Sequence, residues 1–161
     1  MELPDYVTLA GGACSLVGAW AAVRQQFKLA ALLLVGAVLC DYLDGKVARV
    51  RGRRHQEFGK ALDTVVDAVS FAAVPVVFGY CLGLQHPLQV LVLLIFAGAA
   101  VLRLARFTVL PADPRAFIGM PVTYNNLILP GAYLLVAVRL PPPWDATLLT
   151  GLYLLCAYLM A

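Results

Sequence analysis

Four aspartates are the residues of this sequence whose types and spacing could do chemistry. Asp41 and Asp44 are three residues apart, and Asp63 and Asp67 are four apart, within the stretch CDYLDGKVARVRGRRHQEFGKALDTVVDAV at 40–69. On a helix, spacings of three and four put each pair on one face. The connecting turn is short, so the two helices are expected to be antiparallel neighbours whose aspartates meet. Carboxylates crowded together in apolar surroundings repel, and they cannot all ionise unless a cation compensates. Oxygen-only ligands suit Mg²⁺, Mn²⁺ or Ca²⁺ rather than zinc. A pair of such ions commonly serves phosphoryl chemistry. Gly45, Ala48 and Gly59 lie on or near the same faces and leave room for a ligand close to the backbone. Arg49, one turn beyond Asp44, is placed to pair with a phosphate. A plainer alternative makes these aspartates interfacial residues paired with the nearby arginines. It accounts for one such residue better than for four at this spacing.

The elements that position them are read from composition. Of 161 residues, 62% are hydrophobic and 13% charged, with a mean hydropathy of +0.85. A soluble domain carries about 25% charged residues, so the chain reads as an all-α, polytopic membrane protein. It forms a single domain over 1–161, without linker, low-complexity segment or solenoid repeat. No cleavable signal peptide is expected, because MELPDYVT lacks a basic n-region. A bilayer core of about 30 Å takes about 20 mostly apolar helical residues. Six transmembrane spans are expected, at 6–23, 29–50, 59–84, 87–108, 118–139 and 145–161. Charges, amides, glycines and prolines mark the breaks between them.

Lys46, Arg49, Arg51, Arg53, Arg54 and Lys60 surround the loop after the second span, and Arg103, Arg106 and Arg115 that after the fourth. The opposite loops hold only Arg24, Lys28 and Arg139. The positive-inside rule makes the basic loops cytoplasmic, which puts both termini and the carboxylates on that side of an inner membrane. The net charge of +3 then reflects topology and contact with membrane lipids, not nucleic-acid binding. Cys14, Cys40, Cys81 and Cys156 form no CxxC pair and read as small buried or lipid-facing residues. His55 and His86 have no partner at ligand spacing and read as solvated residues.

The order Asp41-x2-Asp44-Gly45-x2-Ala48-Arg49, then nine residues, then Gly59-x3-Asp63-x3-Asp67 resembles the signature of the CDP-alcohol phosphotransferases, and the six-span layout extends the likeness over the chain. The resemblance implies transfer of a phosphatidyl-type group from a CDP-linked lipid to an alcohol, with release of CMP. It implies that Asp41, Asp44 and Asp63 bind two divalent cations, Mg²⁺ or Mn²⁺, with Asp67 contributing to the second and acting as general base. It implies that Asp44, Gly45, Ala48, Arg49 and Gly59 form the CDP-lipid site, in a homodimer whose active site opens to the cytoplasm.

RLARF at 103–107 and FIGMP at 117–121 are similar to the corresponding stretch of the serine-using branch of that family. Serine carries a carboxylate, and an arginine is a suitable clamp for it. At least one of Arg103, Arg106 and Arg115 is therefore expected at the acceptor. The plainer reading makes them positive-inside markers, and an inositol-phosphate or glycerol 3-phosphate acceptor would use them on a phosphate instead. Where serine-using relatives often carry an asparagine three residues after the threonine of the first span, this chain has Gly11 after Thr8. Thr123, Tyr124, Asn125 and Asn126 are unusual for a lipid-facing helix, and either line the acceptor pocket or bond between helices. Two other classes compete with the enzyme. A divalent-cation transporter lacks acidic residues to continue a path through the later spans, and a scaffold without activity gives no reason to keep four costly aspartates.

Overall fold

The computed structural model describes residues 3–51, 56–109, 120–137 and 146–161, with the side chains of 3, 4, 44, 47–51, 56 and 57 left aside. Every regular element among them is helical. In chain order these are α1 Leu3–Val23, α2 Phe27–Arg51, α3 Gln56–Asp67, a π-helical turn Ala68–Ala73, α4 Val74–Cys81, α5 Pro87–Val109, a 3₁₀ turn Val122–Tyr124, α6 Asn125–Ala137 and α7 Ala146–Met160.

A helical segment stands at each of the six expected positions, but among the described residues three are both long and apolar enough to cross a membrane: Asp5–Val23, Phe58–Cys81 and Pro87–Val109. Long enough by itself, α2 carries Asp41, Asp44, Lys46, Arg49 and Arg51 in its second half. The 13 residues of α6 and 15 of α7 reach roughly 20 and 23 Å at ~1.5 Å per residue, short of the bilayer core. The ranges expected for those two spans include residues outside the described ones. Large apolar side chains such as Leu32, Leu94, Leu102, Leu148 and Tyr158 face outward from the bundle, as a lipid surface would have them.

Local chemistry accounts for the boundaries. α1 closes in a Schellman turn: Gln26 N–H bonds to the Ala21 carbonyl and Gln25 N–H to Ala22, with Gln25 at φ 59°. The end of α4 repeats it with Gly83 at φ 108°, a conformation that suits glycine. Just after Asp67 the helix widens, and Val74 N–H bonds five residues back to the Val69 carbonyl. Pro75 follows, and its missing N–H leaves an α-helical register nothing to donate at that position.

Packing then sets the relation of the helices. α1 lies mainly against α2 and also against α3 and α4; α5 packs on α7, and α2 on α6. Gly12 and Gly18 allow the close approach of α1. A Cβ at Gly18 would stand 2.6 Å from Leu34 Cδ1, and one at Gly12 would stand 2.9 Å from Val66 Cγ1. The helix carrying Asp41 and the helix carrying Asp63 and Asp67 are thereby held against a common neighbour. One apolar cluster gathers Phe71, Leu93, Phe96, Leu129 and Tyr153, and a second gathers Ala22, Ala30, Leu34, Val74 and Phe78. The four cysteines are free thiols, Cys156 buried and the others half-buried.

Candidate active site

The 3-and-4 spacing does bring carboxylates from two helices together. Asp41 on α2 and Asp63 and Asp67 on α3 each place one carboxylate oxygen so that all three lie within 4.8 Å of one another. All three side chains are half-buried. Negative oxygens this close, shielded from water, favour a cation among them, and the donor set is the hard-oxygen type that suits Mg²⁺ or Mn²⁺. The residues present therefore fit a divalent ion. Asp44 follows Asp41 by one turn on α2, but its side chain lies outside the described ones, as do those of Ala48 and Arg49. Gly45 is half-buried and Gly59 buried, each on the helix that carries the carboxylates.

Two hollows adjoin the cluster. The smaller, about 10 Å³, has room for about one water molecule and lies between Asp41, Asp67, Ser70, Thr8, Gly11 and Gly12. The larger, about 250 Å³, is lined by Asp63 and Asp67. Lys60 and Thr64 continue its α3 wall, α5 supplies Arg103, Leu104, Phe107 and Thr108, and Pro121, Val122 and Thr123 close it. Pockets that hold drug-sized ligands run from about 300 to 1,000 Å³, so this one suits a smaller molecule.

The three arginines expected near an acceptor separate. Arg103 is buried, lines the larger pocket, lies with its guanidinium carbon 5.4 Å from the Phe107 ring centroid, and donates from Nη1 to the Met160 carbonyl at 3.4 Å. Arg106 is exposed, lies away from the pocket lining, and donates to the Ala161 carbonyl at 3.0 Å. Arg115 lies outside the described residues. The polar run at 123–126 divides too. Thr123 lines the pocket and Tyr124 is exposed. Asn125 and Asn126 are fully buried in helix packing, donating to Met160 Sδ at 3.0 Å and to the Ser70 carbonyl at 2.9 Å.

Sequence reasoning missed Lys60, Thr64 and Thr108 as pocket residues. Lys60 Nζ donates to the Thr108 carbonyl at 2.9 Å, and the two threonine hydroxyls approach to 3.3 Å. A signal was present: Lys60, Asp63, Thr64 and Asp67 follow the i, i+3, i+4, i+7 rule of one helical face. Thr8 was noticed only for the residue that follows it by three, yet it lines the smaller hollow.

An all-helical membrane chain with a carboxylate cluster between two helices, beside a small pocket with cationic walls, is the class that fold and site define. The chain belongs to the CDP-alcohol phosphatidyltransferase family, whose model matches residues 1–160. It is 31% identical over 140 residues to the archaetidylserine synthase of Methanothermobacter thermautotrophicus, covering 83% of this chain and 60% of that protein. It is 32% identical over 164 residues to the CDP-diacylglycerol–serine O-phosphatidyltransferase of Mycobacterium leprae, covering 97% and 53%. The protein of that same name from Saccharomyces cerevisiae is 30% identical over 150 residues, covering 83% and 54%. The chain thus spans 53% to 60% of the length of these relatives.

Proposed function

We propose that this protein transfers a phosphatidyl-type group from a CDP-linked lipid to the hydroxyl of L-serine and releases CMP. The observation that carries the reading is the convergence of Asp41, Asp63 and Asp67 within 4.8 Å, in a chain of this family. Serine appears in the names of all three relatives, whereas the lipid named differs between diacylglycerol and archaetidyl types.

Asp41, Asp44, Asp63 and Asp67 would hold two divalent cations, Mg²⁺ or Mn²⁺. Such ions neutralise the diphosphate and stabilise departing CMP. Asp67 takes the proton of the serine hydroxyl, whose oxygen forms a bond to the lipid-bearing phosphorus as the bond to the CMP oxygen breaks. Gly45, Ala48 and Gly59 make room for the nucleotide, and Arg49 pairs with its phosphates. Arg103 stands in the acceptor pocket. The chain crosses the inner membrane six times as a homodimer, with site and termini on the cytoplasmic side.

A CMP-release assay on the purified protein tests this, with CDP-diacylglycerol or its archaeol counterpart and Mg²⁺ or Mn²⁺. L-serine, glycerol 3-phosphate and inositol 1-phosphate are compared as acceptors. Serine alone is expected to stimulate release, and chelation with EDTA to abolish it until metal is restored. Release driven by a phosphorylated alcohol would reassign the acceptor. Silence with every pairing, together with metal-ion flux through vesicles holding the protein, would replace the enzyme with a transporter.

A further inference from the structure

We infer that Lys60, with Thr64 and Thr108, reads the acceptor as a zwitterionic amino acid, Lys60 taking its carboxylate. The inference rests on the phosphatidyl-transfer reading of the neighbouring carboxylates.

The pocket beside Asp63 and Asp67 carries two kinds of polar group at its α3–α5 wall. The first is the Lys60 ammonium, exposed at the pocket and tied, among the described residues, by a single hydrogen bond, to the Thr108 carbonyl. An ammonium has three N–H donors, so two remain for a ligand anion. Arg103 differs: it is buried, set beside a ring and bonded to the Met160 carbonyl, which makes it part of the pocket floor. The second is the hydroxyl pair. Thr64 Oγ1 lies 2.9 Å from the Lys60 carbonyl, and Thr108 Oγ1 lies 2.9 Å from the Leu104 carbonyl, each four residues back on its own helix. Each hydroxyl can donate to its own backbone carbonyl, and the two oxygens stand 3.3 Å apart. With their protons on the backbone, the oxygens of these two pocket-lining residues are acceptors for a ligand N–H. A cation for a carboxylate and two acceptors for an ammonium suit an α-amino acid. The volume of about 250 Å³ fits a molecule of that size.

The test measures initial rates of CMP release by the full chain, varying L-serine and the CDP-lipid separately. Lys60→Ala, Lys60→Arg and the parent are compared, and serinol, which lacks the carboxylate, is a parallel acceptor. Lys60→Ala is expected to raise the KM for serine roughly tenfold or more, as the loss of a charge-assisted bond does. The same variant should keep kcat and the CDP-lipid KM within about twofold of the parent. Lys60→Arg should recover most of the loss, which a merely misfolded variant does not. With serinol the parent and Lys60→Ala should converge. An unchanged serine KM in Lys60→Ala, an equal loss with serinol, or a rise in the CDP-lipid KM instead would each overturn the inference while leaving the proposed transfer standing. A parent enzyme that releases CMP with glycerol 3-phosphate and not with serine would overturn both.

Discussion

Asp41, Asp63 and Asp67 on one side, and Asn125, Asn126 and Tyr153 on the other, are polar groups set among apolar helices under opposite conditions. The carboxylates are half-buried, alike in charge, brought within 4.8 Å, and flanked by hollows. The second group is fully buried, and its donors end on Met160 Sδ and on the backbone carbonyls of Ser70 and Pro75. A neutral donor facing an acceptor on the next helix is a packing device. Like charges brought this close beside open space favour a cation between them. Polarity inside a membrane chain thus marks function where like charges gather beside open space, and architecture where buried donors end on acceptors of a neighbouring element.

The sharpest way to break this contrast is Asp67→Ala. CMP release is expected to fall by at least about a thousandfold, the scale of a lost general base with a disturbed metal site. Binding of the CDP-lipid, followed by equilibrium dialysis with Mg²⁺ present, should largely persist. Full turnover in that variant would remove Asp67 from the proton transfer.

A smaller effect separates Arg103 from Arg106. Both lie on α5 three residues apart, yet one lines the pocket and the other bonds to the Ala161 carbonyl outside it. Arg103→Ala removes charge and packing from the pocket floor and is expected to raise the serine KM about threefold, less than Lys60→Ala does, with partial recovery in Arg103→Lys. Arg106→Ala, at an exposed site, should change it by no more than about twofold. The reverse order in the two KM values would move the acceptor out of the pocket beside Asp63.

The pairing of Asp41 with Asp63 and Asp67 was legible because helical periodicity and a short turn fix which faces meet. Helix positions were legible for the same reason: hydropathy and breakers act locally. What escaped depends on neighbours distant in sequence. Arg103 and Arg106 look equivalent until α7 packs on α5 and supplies the Met160 and Ala161 carbonyls. Lys60 looks like one more positive-inside residue until Thr108 comes up beside it. The π-helical turn after Asp67 had a local cue in Pro75, but a proline in a helix announces a disturbed register without saying how it is absorbed.

That turn joins the two regions, so the smallest predicted effect is the most discriminating. Tyr153 Oη donates to the Pro75 carbonyl at 2.6 Å, and its ring stands edge-on to Phe96 with centroids 5.1 Å apart. Asn126 grips the same segment through the Ser70 carbonyl, three residues beyond Asp67. Tyr153→Phe keeps the ring and removes one buried hydrogen bond, which costs about 1 kcal/mol. A modest fall in the thermal midpoint in detergent is the expected reading, with kcat and both KM values within about twofold of the parent. If architecture and chemistry are separate, stability alone responds. A tenfold loss of kcat at unchanged stability would mean that the π-helical turn transmits the Tyr153 contact to Asp67, and the contrast between the two regions would give way to a single coupled unit.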